Sequence, residues 1–465
     1  MKQAADRSAP WPRLLRSSIE GVVWPTPLGG AGAQALAMQC QLEHTQWWSP
    51  QALLSAQLTQ LDSLLRHAQV SVPFYRERIA GLPRDQPLTL ETWRTLPLLT
   101  RAELQAAGIA LQSNALPTSH GATHVTRSSG STGLPVQVRK TELCALYWRT
   151  FTLRDHFWRH RDLSGTLATI RFLSGGAEAA PPIQRSTGWG SATAAFNTGP
   201  SFALASTLDI AEQVRLLLQC APDYLLTYPS NLRALARHCS AQGIALPTLR
   251  ETRTFGEALS DDLREVVRRA WNVPVADMYS ADEIGYMALQ CPDATHYHVM
   301  AEGVLLEVLD RNGRACGPGE VGRVVVTPLH NFAMPLLRYV IGDYAEVGEP
   351  CACGRGLPVL TRILGRTRNL LTLPDGRQLR PSMGILDYET VAPVRQAQLI
   401  QRSLEHIEVR LVTSAVPSKA QEQALTALIQ ARLGYPFRVT LTYVDALSRS
   451  RGGKFEDFIS EVTDG

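Results

Sequence analysis

The chain lacks several features that would place it in a specialised class of protein. It has no run of about 18 or more consecutive apolar residues, so no transmembrane helix is predicted. Its 46 Lys and Arg residues are interspersed with 42 Asp and Glu residues, and without a dense basic block no nucleic-acid surface is expected. Its 8 cysteines are too few in 465 residues for a disulfide scaffold and suit a reducing compartment. Because the N-terminal residues lack an apolar core of the signal-peptide type, we expect a cytoplasmic protein that binds no membrane.

A serine- and glycine-rich run is the most informative stretch that is present. Glycine lets the backbone approach a ligand, and hydroxyl and backbone N–H groups donate hydrogen bonds to anionic oxygens. The run is therefore typical of a phosphate-binding loop, although a flexible Ser/Gly linker is the alternative. Its residues are Ser128, Ser129, Gly130, Ser131, Thr132 and Gly133.

The order of predicted elements favours a layered α/β fold. Residues 1–50 are expected to be loosely built. Apolar residues at helical spacing predict a helix over 51–78, which Pro73 interrupts, and Thr100 with Glu103 predicts a second helix start. After the serine-rich run, short strands alternate with helices, which indicates a substantial parallel sheet. The strands are predicted at 165–172, 223–227 and 252–255, and the helices at 210–220, 230–241 and 260–271.

In the last third of the chain, paired strands replace the alternation of strands and helices. Paired strands are predicted at 304–309 and 322–327. Beyond Gly365-Arg366, a hairpin over 370–379, strands over 405–413 and 437–443 and a helix over 418–433 predict a compact α+β module. Segment 448–454 is basic and contains glycine, so it is expected to be mobile. We therefore expect a large domain over 1–364, with a helical lead-in at 50–110, and a small C-terminal domain over 365–465.

Five short motifs follow the serine-rich run in a fixed order. Each is weak by itself, because Asp343 suits a turn, Glu283 a helix N-terminus and Lys454 a solvated tail. Together and in this order they are far more specific. They are Gly256-Glu257-Ala258-Leu259, Tyr279-Ser280-Ala281-Asp282-Glu283-Ile284-Gly285, Arg338-Tyr339-Val340-Ile341-Gly342-Asp343, Gly365-Arg366 and Arg451-Gly452-Gly453-Lys454-Phe455-Glu456.

With this ordered set the chain resembles the adenylate-forming superfamily, specifically its phenylacetate–CoA ligase-like branch, which includes adenylating proteins of capsule biosynthesis clusters. The likeness extends from 61–78, with His67-Ala68 and Pro73-Phe74-Tyr75, to the terminal Gly-Lys. It implies a large N-terminal layered α/β domain and a small, mobile C-terminal α+β domain over the active site. It also implies that ATP and a carboxylic acid form an acyl-adenylate and pyrophosphate, after which the acyl group passes to coenzyme A.

The resemblance also implies a role for each motif. Attack of a carboxylate on the α-phosphorus brings anions together, so positioning and charge neutralisation dominate the catalysis. The run 128–133 would hold the β- and γ-phosphates, and Glu283 would hold Mg²⁺, which prefers oxygen ligands. Asp343 would accept hydrogen bonds from the ribose, and Lys454 would bridge both reacting partners. The remaining nucleotide contacts would come from Gly256, Glu257 and Ala258 along the adenine, Tyr279 stacked on the base, Asp282 beside the metal and nucleotide, and Arg366 at the ribose and phosphates.

Three positions depart from the pattern of the family. Leu134 stands where many relatives carry a lysine, which removes one charged contact to pyrophosphate. Asp282 stands where much of the superfamily has threonine, so a negative charge replaces a hydroxyl near the α-phosphate. Arg368-Asn369 replaces the acidic pair common after Gly-Arg, and domain rotation about this hinge is expected to differ.

Four residues outside these motifs have the composition of a metal site. Cys291, His298, Cys351 and Cys353 supply three thiolates and one imidazole, the number of ligands in a tetrahedral structural zinc site. They resemble the Cys/His and Cys-x-Cys elements of this branch, and we expect a closed clip between loops within 291–353. His296 is a competing ligand, and ordinary reduced cysteines are the alternative.

The sequence favours an acid ligase and leaves two alternatives. Aromatic residues are frequent between 147 and 256, which suits an aryl or arylalkyl acid, although each of them also suits a core. We expect an ATP- and Mg²⁺-dependent ligase that makes an acyl-adenylate from a small aromatic carboxylic acid, then a CoA thioester. The first alternative transfers the acyl group to an amine, another nitrogen nucleophile or a carrier-protein thiol. The second is a non-catalytic nucleotide- and zinc-binding interaction protein. Since relatives are often dimeric, a homodimer is a further expectation.

Overall fold

The computed structural model describes residues 14–82, 86–127, 136–173, 182–260, 262–379, 381, 385–447 and 455–462. The serine-rich run and Lys454 lie outside these residues. Within them, no helix is both long enough and apolar enough to span a bilayer. The helices are α1 (Gly30–Thr45), α2 (Pro50–Ser71), α3 (Tyr75–Arg78), α4 (Leu90–Arg94), α5 (Arg101–Ala107), α6 (Glu142–Trp158), α7 (Ile210–Cys220), α8 (Pro229–Gln242), α9 (Leu263–Trp271), α10 (Ile385–Glu389) and α11 (Lys419–Leu433).

The strands form one large mixed sheet and three smaller sheets. They are β1 (Thr123–Arg127), β2 (Gln137–Thr141), β3 (Leu167–Arg171), β4 (Ile183–Ser186), β5 (Ser201–Ala205), β6 (Tyr224–Thr227), β7 (Glu251–Thr254), β8 (Val275–Ala281), β9 (Gly285–Gln290), β10 (Tyr297–Val299), β11 (Val304–Leu309), β12 (Val321–Pro328), β13 (Tyr339–Val347), β14 (Val359–Arg366), β15 (Leu371–Thr372), β16 (Gln378–Leu379), β17 (Val394–Ser403), β18 (His406–Thr413), β19 (Arg438–Tyr443) and β20 (Phe458–Ser460).

The helical lead-in follows local sequence signals, with one exception. Helix α2 begins with Pro50 after the Ser49 cap and ends before Pro73, as predicted. Thr100 and Glu103 form the predicted capping box of α5. The expectation of a loosely built start is wrong for α1, whose alanines favour helix without a strong apolar stripe. Gly32 lets this helix approach the chain closely, since a Cβ there would lie 2.8 Å from the backbone nitrogen of Ala195.

The large sheet contains both predicted strand arrangements, parallel strands that alternate with helices and antiparallel paired strands. Within the described residues its 12 strands run in the order β11-β12-β13-β14-β10-β9-β8-β7-β6-β3-β5-β4. Strands β5, β3, β6, β7 and β8 are parallel, as the alternation of strands and helices predicts. From β8 to β11 the neighbours are antiparallel. Strand β8 is the boundary between the two halves, because it pairs parallel with β7 and antiparallel with β9. The candidate site lies near the end of β8.

The last hundred residues form a separate small sheet. Strands β17 and β18 pair antiparallel, β19 lies parallel to β18, and β20 lies parallel to β17. One face packs around Leu399, Ile407, Leu425 and Ile429, a hydrophobic cluster distinct from those of the large sheet. The predicted α+β content is confirmed, whereas β17 and β20 were not predicted. The division at Gly365 stays a prediction.

Candidate active site

Tyr279 near the end of β8, Asp343 in the middle of β13 and Arg366 at the end of β14 contact one another. The Tyr279 hydroxyl donates to Asp343 Oδ2 at 2.8 Å, and Arg366 Nε lies 3.1 Å from Asp343 Oδ1. Asp343 and Arg366 are register partners in the antiparallel pair, so the strands themselves bring them together. Burial and the negative charge of Asp343 raise the pKa of Tyr279 well above its ordinary value, which keeps its hydroxyl a donor.

Two glycines allow this arrangement. Gly342 and Gly365 have φ of 87° and 82°, in the left-handed region that favours glycine. A Cβ at Gly342 would lie 3.1 Å from Arg366 Nη1, and one at Gly365 would lie 3.5 Å from Ala258 Cβ. The second distance places the Gly256-Glu257-Ala258 segment beside the strands that carry Asp343 and Arg366.

Glu283 lies beside this group with one carboxylate oxygen unpaired. Glu283 is 4% exposed, and among the described residues its Oε1 is buried without a hydrogen-bond partner. The pKa of Arg366 is raised, first by Asp343 and then, after the opposing effect of burial, by Glu283. A buried carboxylate is costly unless a cation or donor compensates it, so the site fits a hard cation such as Mg²⁺.

The hairpin of β1 and β2 contacts the residue before Glu283. Lys140 Nζ donates to the Asp282 carbonyl oxygen at 2.6 Å, and Thr126 Oγ1 donates to it at 3.3 Å. Strands β1 and β2 pair from Thr123 with Thr141 to Arg127 with Gln137, so the serine-rich run connects their adjacent ends. The structure therefore brings both flanks of the predicted phosphate loop to the Asp282-Glu283 segment.

Sequence reasoning missed Lys140, which is 9% exposed. Burial lowers the pKa of Lys140, while Cys144, then Glu283 and Asp282, oppose that effect. A signal was available, because Lys140 is the only lysine between Lys2 and Lys419 and follows the serine-rich run within one strand.

The Glu257 carboxylate binds the first turn of α8 and the backbone at Phe455. Its carboxylate accepts hydrogen bonds from the Ser230 backbone nitrogen at 2.9 Å and the Ser230 hydroxyl at 3.0 Å. These donors lie in the first turn of α8, where the helix dipole favours an anion. Glu257 Oε1 also accepts from the Phe455 backbone nitrogen at 2.8 Å. The residue after Lys454 is thereby attached to the Gly256-Glu257-Ala258 segment.

The predicted metal ligands converge from β9, β10 and the loop before β14. One ligand atom from each of Cys291, His296, His298 and Cys351 lies within 4.8 Å of the others, and this set contains His296 rather than Cys353. Cys353 nonetheless reaches the cluster, because its Sγ lies 3.4 Å from His298 Nε2. The structure thus assembles all four predicted ligands together with the competing one.

Distances within this Cys/His cluster suit a tetrahedral metal. The sulfurs of Cys291 and Cys351 are 3.9 Å apart. A zinc tetrahedron has edges of roughly 3.8 Å between two sulfurs and roughly 3.5 Å between sulfur and nitrogen. Burial lowers the pKa of His298 to about 4 and raises the pKa of Cys291 to about 12. The imidazole is therefore neutral, as a ligand must be, whereas the Cys291 thiolate needs a cation to stabilise it.

Most aromatic residues between 147 and 256 serve the core. Phe151 and Trp158 are buried in one hydrophobic cluster, and Phe196 with Phe157 belongs to another. Trp148 and Phe172 are each 43% exposed and stay candidates for contact with a substrate.

Comparison with known proteins finds relatives in sequence and in fold over most of the chain. A family profile described as the CapK C-terminal domain matches residues 384–461. The phenylacetate-coenzyme A ligase of Pseudomonas putida is 24% identical over 430 residues, which cover 87% of this chain and 93% of the relative. The fold matches a 2-hydroxyisobutyryl-CoA ligase in its postadenylation state with a TM-score of 0.68 and 19% identity, over 87% of this chain and 89% of that one.

The same ligase has also been solved in its thioesterification state. That form matches with a lower TM-score of 0.56 and 20% identity, over the same 87% of this chain and 89% of that one. In fold and motif order the chain is similar to the phenylacetate–CoA ligase-like and CapK proteins, and residues 384–461 match the CapK C-terminal domain.

Proposed function

We propose that this chain is an ATP-dependent acid–CoA ligase, which joins a small carboxylic acid to AMP with release of pyrophosphate and then passes the acyl group to CoA. One observation carries the proposal. Tyr279, Asp343 and Arg366 are in contact, and the charge of Glu283 acts on Arg366. The flanks of the serine-rich run contact the carbonyl of Asp282, the residue before Glu283. Residues that resemble separate parts of a magnesium-nucleotide site thus converge.

Each proposed role follows from the chemistry of the side chain. Asp343 is a carboxylate that can accept hydrogen bonds from a ribose diol, and Tyr279 and Arg366 hold it in place. The unpaired oxygen of Glu283 is the ligand that would hold Mg²⁺, which supplies charge neutralisation to the phosphates when bound. Residues 128–133 are proposed to cradle the phosphates, and Lys454 to stabilise the charge that develops between carboxylate and α-phosphate.

Two further proposals concern the architecture. We propose that the Cys/His cluster holds a structural zinc, with ligands drawn from Cys291, His296 or His298, Cys351 and Cys353. It would join the loops after β9 and before β14. We also propose Gly365 as the domain boundary, because the residues after it build their own sheet and hydrophobic cluster.

An aryl or arylalkyl acid is the proposed substrate class. Trp148 and Phe172 are exposed rings, and the Tyr228 hydroxyl accepts a hydrogen bond from the Phe172 backbone nitrogen at 3.3 Å. Tyr228 also packs on Phe255, with ring centroids 4.8 Å apart, near the Gly256-Glu257-Ala258 segment. Flat rings pack favourably against such walls.

The decisive experiment is ATP–pyrophosphate exchange with a panel of aryl, arylalkyl and aliphatic acids. We expect exchange with at least one aromatic acid, and CoA-dependent formation of its thioester. Lys454→Ala should abolish exchange while ATP binding persists, whereas Lys419→Ala, at an exposed helix start, should change neither. Exchange without a thioester would favour transfer to an amine or carrier protein. The absence of exchange with every acid would favour a non-catalytic nucleotide-binding protein.

A further inference from the structure

Lys140 occupies a position on β2 where the strand pattern favours an apolar side chain. Alternate residues of a strand share a face, so Lys140 lies on the same face as Val138, which is 0% exposed, whereas Gln137 and Arg139 on the other face are less buried. Lysine is almost never buried unless its charge is paired. The fold is therefore less stable with Lys140 than with an apolar residue there, which is typical of a functional position.

The ammonium of Lys140 is only partly satisfied by the protein. Nζ donates to the Asp282 carbonyl oxygen at 2.6 Å, which uses one of its three N–H donors. Among the described residues no carboxylate forms an ion pair with Lys140 and no second acceptor binds it. A buried ammonium with two further donors fits an anionic oxygen atom, because a hydrogen bond between charged groups is stronger than one between neutral groups.

The carbonyl that Lys140 contacts belongs to the residue before Glu283. Thr126 Oγ1 donates to the same oxygen at 3.3 Å, so the Asp282 carbonyl keeps one donor when Lys140 is replaced. The negative charge of Glu283 also acts on the ammonium, since it is among the groups that oppose the effect of burial on the pKa of Lys140. The ammonium therefore lies near the carboxylate that we propose as the Mg²⁺ ligand, where the two anionic reactants would come together.

We propose that Lys140 is a catalytic residue whose ammonium binds an anionic oxygen of a reactant, either a phosphate oxygen of ATP or a carboxylate oxygen of the acid. The inference rests on the proposed function and adds a contact to it. In that reaction the acid carboxylate bonds to the α-phosphorus, and pyrophosphate leaves with the electron pair of the broken P–O bond. Lys140 keeps its proton throughout and reduces the repulsion between the anions.

Two substitutions separate this role from support of the Asp282 carbonyl. Lys140→Gln removes the charge but keeps an N–H donor for the carbonyl, and Lys140→Met removes both. We expect both variants to lower the rate of pyrophosphate exchange by roughly tenfold or more, which corresponds to the free energy of one hydrogen bond between charged groups. Lys419→Met, at an exposed helix start, is the matched control and should keep the wild-type rate.

The KM values identify the anion that Lys140 binds. A rise in the KM for ATP, together with weaker binding of Mg²⁺-ATP in calorimetry, identifies the phosphate. A rise in the KM for the acid, with binding of Mg²⁺-ATP unchanged, identifies the carboxylate. Unchanged KM values for both reactants, or wild-type kinetics in Lys140→Gln, would overturn the proposal.

Stability provides a readout that a structural role would change. Methionine suits the apolar face of β2, so Lys140→Met without ligands should unfold at or above the wild-type temperature. A lower unfolding temperature with wild-type kinetics would make the role structural and overturn the proposal. If the proposed function fails, the wild-type chain shows no exchange with any acid. Calorimetry with Mg²⁺-ATP and with inorganic pyrophosphate then decides: binding that is weaker in both Lys140 variants supports the contact, and equal or absent binding overturns it.

Discussion

Tyr279 and Asp343 are joined by a hydrogen bond of 2.8 Å although 64 residues separate them in the chain. Arg366 occupies the other oxygen of the same carboxylate. The Tyr279 ring is thus fixed by its hydroxyl, and Asp343 is held between a neutral donor and a cation. A carboxylate held in this way is pre-organised for a second pair of donors, which is what a ribose would offer.

Removal of the tyrosine hydroxyl tests this pre-organisation. Tyr279→Phe keeps the ring but removes one donor to Asp343, so the carboxylate gains freedom to turn toward Arg366. A hydrogen bond to a charged group is worth roughly 1.5–3 kcal/mol, and we expect the KM for ATP to rise at least tenfold. The KM for the acid should change little. Steady-state kinetics of pyrophosphate exchange measure both constants.

Tyr443→Phe provides the control, because it removes a similar bond to a carboxylate, that of Glu422 at 2.7 Å, on the exposed face of the small sheet. An unchanged KM for ATP in Tyr279→Phe would show that the nucleotide does not depend on Asp343 being held.

Lys140 offers a second prediction at the flank of the serine-rich run. Lys140→Met keeps an unbranched chain of similar length but removes the ammonium that holds the Asp282 carbonyl. Asp282 precedes Glu283, so loss of this bond should displace the Glu283 carboxylate. We expect the exchange rate at saturating acid to fall roughly tenfold or more, which corresponds to the free energy of one hydrogen bond from a charged donor. Lys419→Met is the exposed control. A variant with wild-type kinetics would make Lys140 a purely structural residue.

His330 provides a prediction about pH and stability. Its ring stacks on Tyr147, with centroids 3.7 Å apart and planes at 15°. Burial lowers the pKa of His330 from its ordinary value of 6.5 to about 3, so the folded protein holds the neutral form. As pH falls below 6.5, the unfolded chain takes up a proton that the folded chain does not, and stability is lost by up to about 1.4 kcal/mol per pH unit.

His330→Phe preserves a flat ring and removes the titrating group. We therefore expect its free energy of unfolding, measured by urea denaturation between pH 6.5 and 5, to fall less steeply than that of the wild type. His44→Phe, at an exposed position on α1, should leave the wild-type slope unchanged. Parallel slopes for the wild type and His330→Phe would mean that His330 takes up its proton in the folded chain.

The fold was predictable from sequence wherever local signals and burial agree. Helix α7 and strand β11 match their predicted bounds, because an apolar stripe and an apolar run mark them clearly. Helix α1 was missed because alanine favours helix without leaving a periodic pattern. Strand β20 was missed because three residues gain their strand structure only by pairing with β17, a contact that sequence periodicity does not contain.

The candidate site shows the same limit. Motif order identified Asp343, Arg366 and Tyr279, and the structure places them in contact. The side-chain direction of Glu257 was not predictable, since it depends on where α8 begins in space. Lys140 and Arg368 were recognisable as charged residues near motifs, but their partners, Asp282 and Glu456, lie 142 and 88 positions away. Long-range pairing of this kind is set by the topology of the sheets.

The Cys/His cluster gives the last prediction. If it holds zinc, protein purified without chelators should contain about one zinc per chain, since four protein ligands complete one tetrahedral site. Cys351→Ser should lose the metal and unfold at a lower temperature, because structural zinc contributes its binding energy to folding. Cys40→Ser, at an exposed cysteine outside the cluster, should retain both the metal and the unfolding temperature.

His296→Ala and His298→Ala then decide between the two imidazoles, because the variant that lacks the true ligand loses the metal and the other variant keeps it. Metal content by mass spectrometry and the thermal unfolding temperature are measured for all four variants. A wild-type chain free of zinc would contradict the proposal and leave the cluster as reduced thiols packed against two neutral histidines.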